Sequence, residues 1–187
     1  MNKELTIGLF GFGCVGQGLY EVLNNSLQFK ADFKKICIKH PEKKRILEKD
    51  VFTTDKWVLL DDPEIDTIVE LIDDAEEAYE IITTALKRKK NVVTANKKVL
   101  AEHLEELLYL QKENNVSLIY EASVCGGIPI IRTLEEYYDN EELQSVSGIF
   151  NGSSNFILSK IFRENIDYDV ALKQAQELGF AETDPSS

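Results

Sequence analysis

Apolar positions along the chain switch repeatedly between a period of two and a period near 3.6. Thr6–Phe10 is a short apolar run, and Val15–Leu27 follows with Val15, Leu19, Val22 and Leu23 at helical spacing before the polar Asn24, Asn25 and Ser26. Ile36 and Ile38 alternate with polar residues as a second strand, and Trp57–Leu60 reads as a weaker third. Asp66–Ile72 is a stronger strand, followed by a helix over Ala75–Lys89 with Ala78, Ile81, Ile82, Ala85 and Leu86 on one face. Asn91–Thr94 and Ser117–Tyr120 are again strand-like. Helices over Val99–Lys112, burying Leu100, Leu104, Leu107 and Leu108, and over Pro129–Tyr138 complete the alternation. Strands separated by helices predict an α/β fold with a mainly parallel sheet and helices on both faces.

The character changes after Asn140. Leu143–Phe150 reads as a strand, Phe156–Phe162 as a helix, and Asp167 starts a last helix with Val170, Ala171, Ala175 and Leu178 inward and Gly179 as its C-terminal cap. The expectation is therefore one domain over 1–140 and the start of an incomplete α+β unit over 141–187. No internal repeat or low-complexity segment interrupts either.

Composition narrows the class of partner. A chain of 187 residues with 43% hydrophobic content can bury a real core. Its net charge of −12 argues against nucleic acid, which needs a clustered basic face. The one basic run, Lys87–Lys90, reads as the solvated C-terminal end of a helix, where cations complement the dipole. No apolar run is long enough to span a membrane, and the start lacks the features of a signal peptide. Cys14, Cys37 and Cys125 are too few and too scattered for a disulfide framework or a zinc spacing, so a reducing cytoplasm is the expected setting.

Candidate chemistry begins at Gly11-Phe12-Gly13-Cys14-Val15-Gly16, which follows an apolar strand and opens an amphipathic helix. In that context the spacing is mechanical: Gly11 for the tight turn, Gly13 for close approach of backbone to a pyrophosphate, Gly16 for helix packing. The helix start adds N–H donors for phosphate. This is the fingerprint of a Rossmann-type unit that binds a nicotinamide dinucleotide. Near the end of the second strand no carboxylate stands ready for a ribose 2′-hydroxyl. Lys39 is there instead, with Lys43, Lys44 and Arg45 soon after, which favours NADP over NAD; a solvated basic loop is the competing reading. His40 reads as a surface residue.

Four further segments, 91–98 (NVVTANKK), 120–131 (YEASVCGGIPII), 148–158 (GIFNGSSNFIL) and 175–185 (AQELGFAETDP), resemble homoserine dehydrogenases and occur in that family's order. The resemblance implies NAD(P)H-dependent reduction of L-aspartate 4-semialdehyde to L-homoserine, on the route to threonine, methionine and isoleucine. It implies a homodimer for a full-length form. It marks Lys97 as catalytic, touching both cofactor and substrate, and adds Thr94 to the cofactor set of Gly11, Phe12, Gly13, Cys14, Val15, Gly16, Lys39 and Lys97. A lysine after a strand of such a sheet projects from the edge where ligands bind and can hold a developing alkoxide. Substrate contacts are implied at Gly152, Ser153, Phe180 and Glu182, the last as a carboxylate partner for an ammonium. A monovalent cation such as Na+ is implied at Glu121 and the carbonyls of Val124, Gly126 and Ile128.

The sequence departs from the family in several places. Cys125 stands where the family's turn carries glycine, and Phe180 where it often carries tyrosine, so a hydroxyl contact is missing. Asp73 and Asp74 replace a glycine pair after the Asp66–Ile72 strand. The family continues past Asp184 and Pro185 with an aspartate and a proton-donating lysine four residues later, whereas this sequence reaches Ser187. The expectation is a fragment or a degenerate relative that binds nucleotide better than it turns over substrate. Alternatives are a non-catalytic nucleotide-binding or regulatory module and, more weakly, a dehydrogenase for another semialdehyde or a sugar.

Overall fold

The first elements in chain order are β1 (Leu5–Phe10), α1 (Cys14–Asn24), β2 (Ala31–Cys37), β3 (Phe52–Thr53), α2 (Trp57–Leu60) and β4 (Thr67–Glu70). They are followed by α3 (Ala75–Lys87), β5 (Asn91–Thr94), α4 (Lys97–Asn114) and β6 (Leu118–Ile119), with 3₁₀ turns at Lys49–Val51 and Glu121–Ser123. The computed structural model describes residues 5–27, 31–45, 47–140 and 142–181. Packing divides it between Ser123 and Val124.

The strands form one six-stranded sheet of order β3-β2-β1-β4-β5-β6. All pairings are parallel. β1 lies between β2 and β4, so the chain winds outward from it in both directions. Such a reversal opens a crevice at the carboxyl ends of the strands.

Alternate side chains along the strands feed two cores. Phe10, Ile68 and Val92 pack with Leu59 and Leu60 of α2, Ala78, Ile81, Ile82, Ala85 and Leu86 of α3, and Leu100 and Leu107 of α4. Their neighbours Leu9, Val69 and Val93 pack on the opposite face with Leu19, Tyr20 and Leu23 of α1. Helices therefore cover both faces. The predicted face of α3 is fully buried, and each large aliphatic there contributes on the order of 1.5–3 kcal/mol.

Several expectations are corrected. Trp57–Leu60 is a helical turn, and β3 is the third strand. Asp55 accepts from the Trp57 N–H at 2.9 Å and starts the turn. Burial then falls on the adjacent Leu59 and Leu60 while Trp57 and Val58 stay exposed, a pattern a strand cannot produce. On α1, Val15 and Val22 are exposed, and on α4 Leu108 is exposed while Leu110 is buried. Lys90 is not part of a solvated helix end. It is buried, and its Nζ donates to the carbonyls of Ile65 (2.6 Å) and Asp62 at the amino-terminal edge of the sheet.

The later unit contains α5 (Ile130–Tyr137), α6 (Gly152–Glu164) and α7 (Tyr168–Glu177). Leu143–Phe150 forms no strand among the described residues, and Leu143, Val146, Ile149 and Phe150 are exposed. A strand needs a ladder partner, and this segment has none there. Ile157 of α6 packs with Ala171 and Ala175 of α7, whereas Val170 and Leu178 face outward. Gly179, at φ +77°, ends α7. Its N–H donates to Gln176 and that of Phe180 to Ala175, the paired bonds of a Schellman motif.

Candidate nucleotide-binding site

The glycine loop crosses the carboxyl edge of the sheet between β1 and α1. Gly11 sits at φ +90°, its N–H donates to the Cys37 carbonyl at 3.0 Å, and a Cβ there would lie 2.5 Å from the Leu71 carbonyl oxygen. A Cβ on Gly16 would lie 2.4 Å from the Gly11 carbonyl oxygen, so α1 can approach the turn only with glycine at this place. Gly13 differs: a Cβ would meet nothing within 4 Å. It is the N-cap of α1 and brings no side chain to cap the first turn, which also carries no acidic residue. The positive end of the helix is thus left to a ligand. Phe12 is buried beneath the loop, edge-on to Tyr20 and Phe52.

Beside the loop lies a cavity of about 1130 Å³, lined by the whole loop, by Cys37–His40 and Lys43–Arg45 after β2, and by Leu71–Asp74 after β4. Lys39, Lys43 and Lys44 are exposed, and the Arg45 guanidinium lies 5.3 Å from the centre of the Phe52 ring. The loop after β2 is therefore cationic on the side that faces the cavity. Cys37 contributes a neutral thiol, because burial first, and then the carboxylates of Glu77 and Asp55, push its pKa up to about 11. Asp74 is accounted for by helix capping, since its carboxylate accepts from the Glu77 N–H at 3.0 Å and starts α3. Asp73 is exposed and lines the cavity.

Beneath this wall sits a carboxyl the sequence did not single out. Glu70, the last residue of β4, is 0% exposed. Its Oε1 accepts from the Ile72 N–H at 2.7 Å and its Oε2 from Thr94 Oγ1 at 2.5 Å. Burial raises its pKa, opposed by these two hydrogen bonds, with Asp73 adding to the rise. In the unfolded chain Glu70 ionises near the ordinary value; in the folded protein it holds its proton to higher pH. Folded protein then binds more protons than unfolded across that interval, so this group's contribution to stability falls as pH rises through it. Glu70→Gln removes the ionisation. Its melting temperature relative to the original chain should therefore rise as pH is taken upward from about 4.5, and a pH-independent difference would contradict the assignment.

Thr94 is fully buried, with its hydroxyl committed to Glu70 and Asn96 and its carbonyl accepting from Ser123 Oγ at 3.1 Å. Asn96 caps α4, accepting from Val99 N–H at 3.2 Å, and Lys97 follows as the exposed first residue of that helix, beyond the residues lining the cavity. Glu121 lies in the 3₁₀ turn that follows β6. Val124, Gly126 and Ile128 belong to the later unit, where Cys125 and Gly126 both have φ +57°, a backbone region that glycine adopts at least cost. Among the described residues no cluster of three or more His, Cys, Asp or Glu side chains could hold a metal.

Within the later unit, Asn151 caps α6 through the N–H groups of Ser153 (2.8 Å) and Ser154 (3.2 Å). Ser153 Oγ donates to the Phe180 carbonyl, and the Phe180 ring stacks on Phe156 at 4.8 Å. Gly152, Ser153 and Phe180 are therefore neighbours, while Glu182 lies outside the described residues. No helix among the described residues is long and apolar enough to cross a membrane.

A parallel sheet wound outward from β1, with an uncapped glycine loop at its carboxyl edge, defines a dinucleotide-binding α/β protein. Residues 11–121 match the model for the homoserine dehydrogenase NAD-binding domain, and residues 129–187 match the model for homoserine dehydrogenase. The chain belongs to the homoserine dehydrogenase family. It is 41% identical to the homoserine dehydrogenase of Bacillus subtilis, an alignment covering 99% of this chain and 45% of that protein. A homoserine dehydrogenase structure from Thiobacillus denitrificans superposes with a TM-score of 0.88 at 36% identity, covering 98% of this chain and 44% of the other. A hyperthermophilic archaeal homoserine dehydrogenase in complex with NADPH superposes with a TM-score of 0.81 at 28% identity, covering 98% and 64%. The chain spans under half the length of the Bacillus subtilis relative.

Proposed function

We propose that this chain supplies the cofactor-binding part, and some of the substrate-binding part, of an enzyme that reduces L-aspartate 4-semialdehyde to L-homoserine with NAD(P)H. The observation that carries the reading is the glycine loop: two glycines locked against backbone oxygens and a third, Gly13, open to the cavity at an uncapped helix start. Gly11, Phe12, Gly13, Cys14, Val15 and Gly16 hold the pyrophosphate, with Thr94 supporting the cavity from below. Lys97 stabilises the alkoxide that forms as hydride reaches the carbonyl carbon. Residues 141–187 act on the substrate side, with Gly152, Ser153, Phe180 and Glu182 as its contacts. A monovalent cation with Glu121 as its carboxylate ligand, and a homodimer for a full-length form, belong to the same proposal.

The cofactor is NADP rather than NAD. Lys39, Lys43, Lys44 and Arg45 follow β2 along the cavity, and no carboxylate lines that stretch to accept from a 2′-hydroxyl. Exposed ion pairs are worth about 0.5 kcal/mol each, so a few of them favour NADPH over NADH roughly tenfold at low ionic strength. The gap should narrow as salt rises, because the cations are exposed. Fluorescence titration of the chain with both reduced nucleotides, at low and high salt, tests this. Equal affinities at low salt would exclude the 2′-phosphate assignment, and no binding of either nucleotide would remove the function.

A further inference from the structure

Four groups at the carboxyl edge of the sheet close into a ring of hydrogen bonds. The Ile72 N–H donates to Glu70 Oε1 at 2.7 Å, and Asn96 Nδ2 donates to the Ile72 carbonyl at 3.2 Å. The Asn96 N–H donates to Thr94 Oγ1 at 3.0 Å, and Thr94 Oγ1 donates back to Glu70 Oε2 at 2.5 Å. Glu70 and Thr94 are both 0% exposed. Among the described residues Glu70 forms no ion pair, so a carboxyl has been taken out of water with two hydrogen bonds as its compensation. An apolar residue would cost less at a place that only needed filling.

The ring joins two segments that the chain leaves separate. Ile72 is held at both its N–H and its carbonyl, and it belongs to the Leu71–Asp74 wall of the nucleotide cavity. Asn96 is held at its N–H and Nδ2 while its Oδ1 caps α4, and Lys97 is the next residue. We propose that Glu70 is a positioning residue, closing a hydrogen-bonded ring with Ile72, Asn96 and Thr94 that makes the nucleotide-cavity wall and the start of α4 one rigid piece. The proposal rests on the nucleotide-binding reading for its consequence, not for the existence of the ring. Glu70 touches neither cofactor nor substrate; it acts through Ile72 and Asn96.

The test uses the 187-residue chain with two ring variants, one core control and one rescue variant. Glu70→Ala removes both acceptors. Thr94→Val keeps the side-chain shape, removes only Oγ1, and serves if the first variant fails to fold. Leu107→Ala, a core truncation between α4 and the sheet, is matched for loss of melting temperature. Amide hydrogen exchange in the free chain should speed up more than about tenfold at Ile72, Asn96 and Val99 together in either ring variant. It should not do so selectively in Leu107→Ala. NADPH affinity of the folded fraction should weaken by about tenfold or more in the ring variants, since displacements of an ångström at a site are costly, and stay unchanged in the core control. Glu70→Gln, whose carbonyl still accepts from Ile72 and whose amide can donate to Thr94, should recover most of the affinity. Unchanged exchange at Asn96 and Val99 would overturn the ring. Faster exchange with unaltered NADPH affinity would overturn the positioning role and leave only a structural one. Failure of the original chain to bind NADPH would overturn the nucleotide reading and the positioning role with it, while exchange would still decide the ring.

Discussion

Gly13→Val should abolish NADPH binding while leaving the chain folded. Gly13 has φ −82° and ψ −157°, extended backbone that a branched residue adopts readily, and its Cβ would meet nothing within 4 Å. The protein itself therefore loses little. The ligand loses much, because the added isopropyl group would occupy the space through which a pyrophosphate reaches the first-turn N–H groups of α1. Charge-assisted hydrogen bonds to such groups contribute about 1.5–3 kcal/mol each, so losing two weakens binding ~100-fold or more. Gly16→Val is the informative contrast. Its Cβ would lie 2.4 Å from the Gly11 carbonyl oxygen, so that variant should lose thermal stability as well as binding. Circular dichroism melts and fluorescence titration of both separate the two outcomes. A folded Gly13→Val chain with unaltered affinity would remove the loop from the site.

The second large effect is on turnover. Since the chain spans under half of its relative from Bacillus subtilis, the measurement belongs in a chimaera that joins it to the remainder of that enzyme. Lys97→Ala in the chimaera should lower kcat for aspartate semialdehyde by about 10²–10³, the scale for losing one electrostatic stabiliser of a developing oxyanion. Affinity for NADPH should change only a few fold, because the glycine loop and the cationic stretch after β2 are untouched. A raised KM with unchanged kcat would show that Lys97 binds substrate without acting on the reaction.

Much of the sheet was legible because α/β folds write their elements in alternating periods. β1, β5 and the buried face of α3 follow directly from apolar spacing. Where the pattern misled, tertiary context had decided. Leu59 and Leu60 are adjacent in sequence, and four apolar residues in a row read equally as strand or as one helical turn. The choice fell to the Asp55 carboxylate that starts the turn. Leu143–Phe150 has the composition of a strand but no partner among the described residues, and pairing is not written in one segment alone. The glycine loop was legible because each glycine answers a steric demand at fixed spacing. The Glu70 ring was not, since its members are separated along the chain and meet only when β4 and β5 pair. One signal was present: a glutamate in the middle of the apolar Asp66–Ile72 run, at a place where an uncompensated charge would be expensive.

The Gly11 turn also bears on how the molecule comes to exist. Its tightness is defined against the Leu71 carbonyl and anchored to the Cys37 carbonyl, so the loop at the start of the chain takes its form only when the far ends of β2 and β4 have docked beside β1. Parallel pairing of this kind carries a high contact order, and loop closure must be achieved before any native contact compensates for it. The dinucleotide site therefore depends on the whole β2-β1-β4 pairing, although its signature lies in one short loop. A ligand that recognises only the finished loop draws the folding equilibrium toward the complete sheet, by about 2.7 kcal/mol at a hundredfold excess over its dissociation constant. For this topology a bound dinucleotide would support the fold as well as occupy the site.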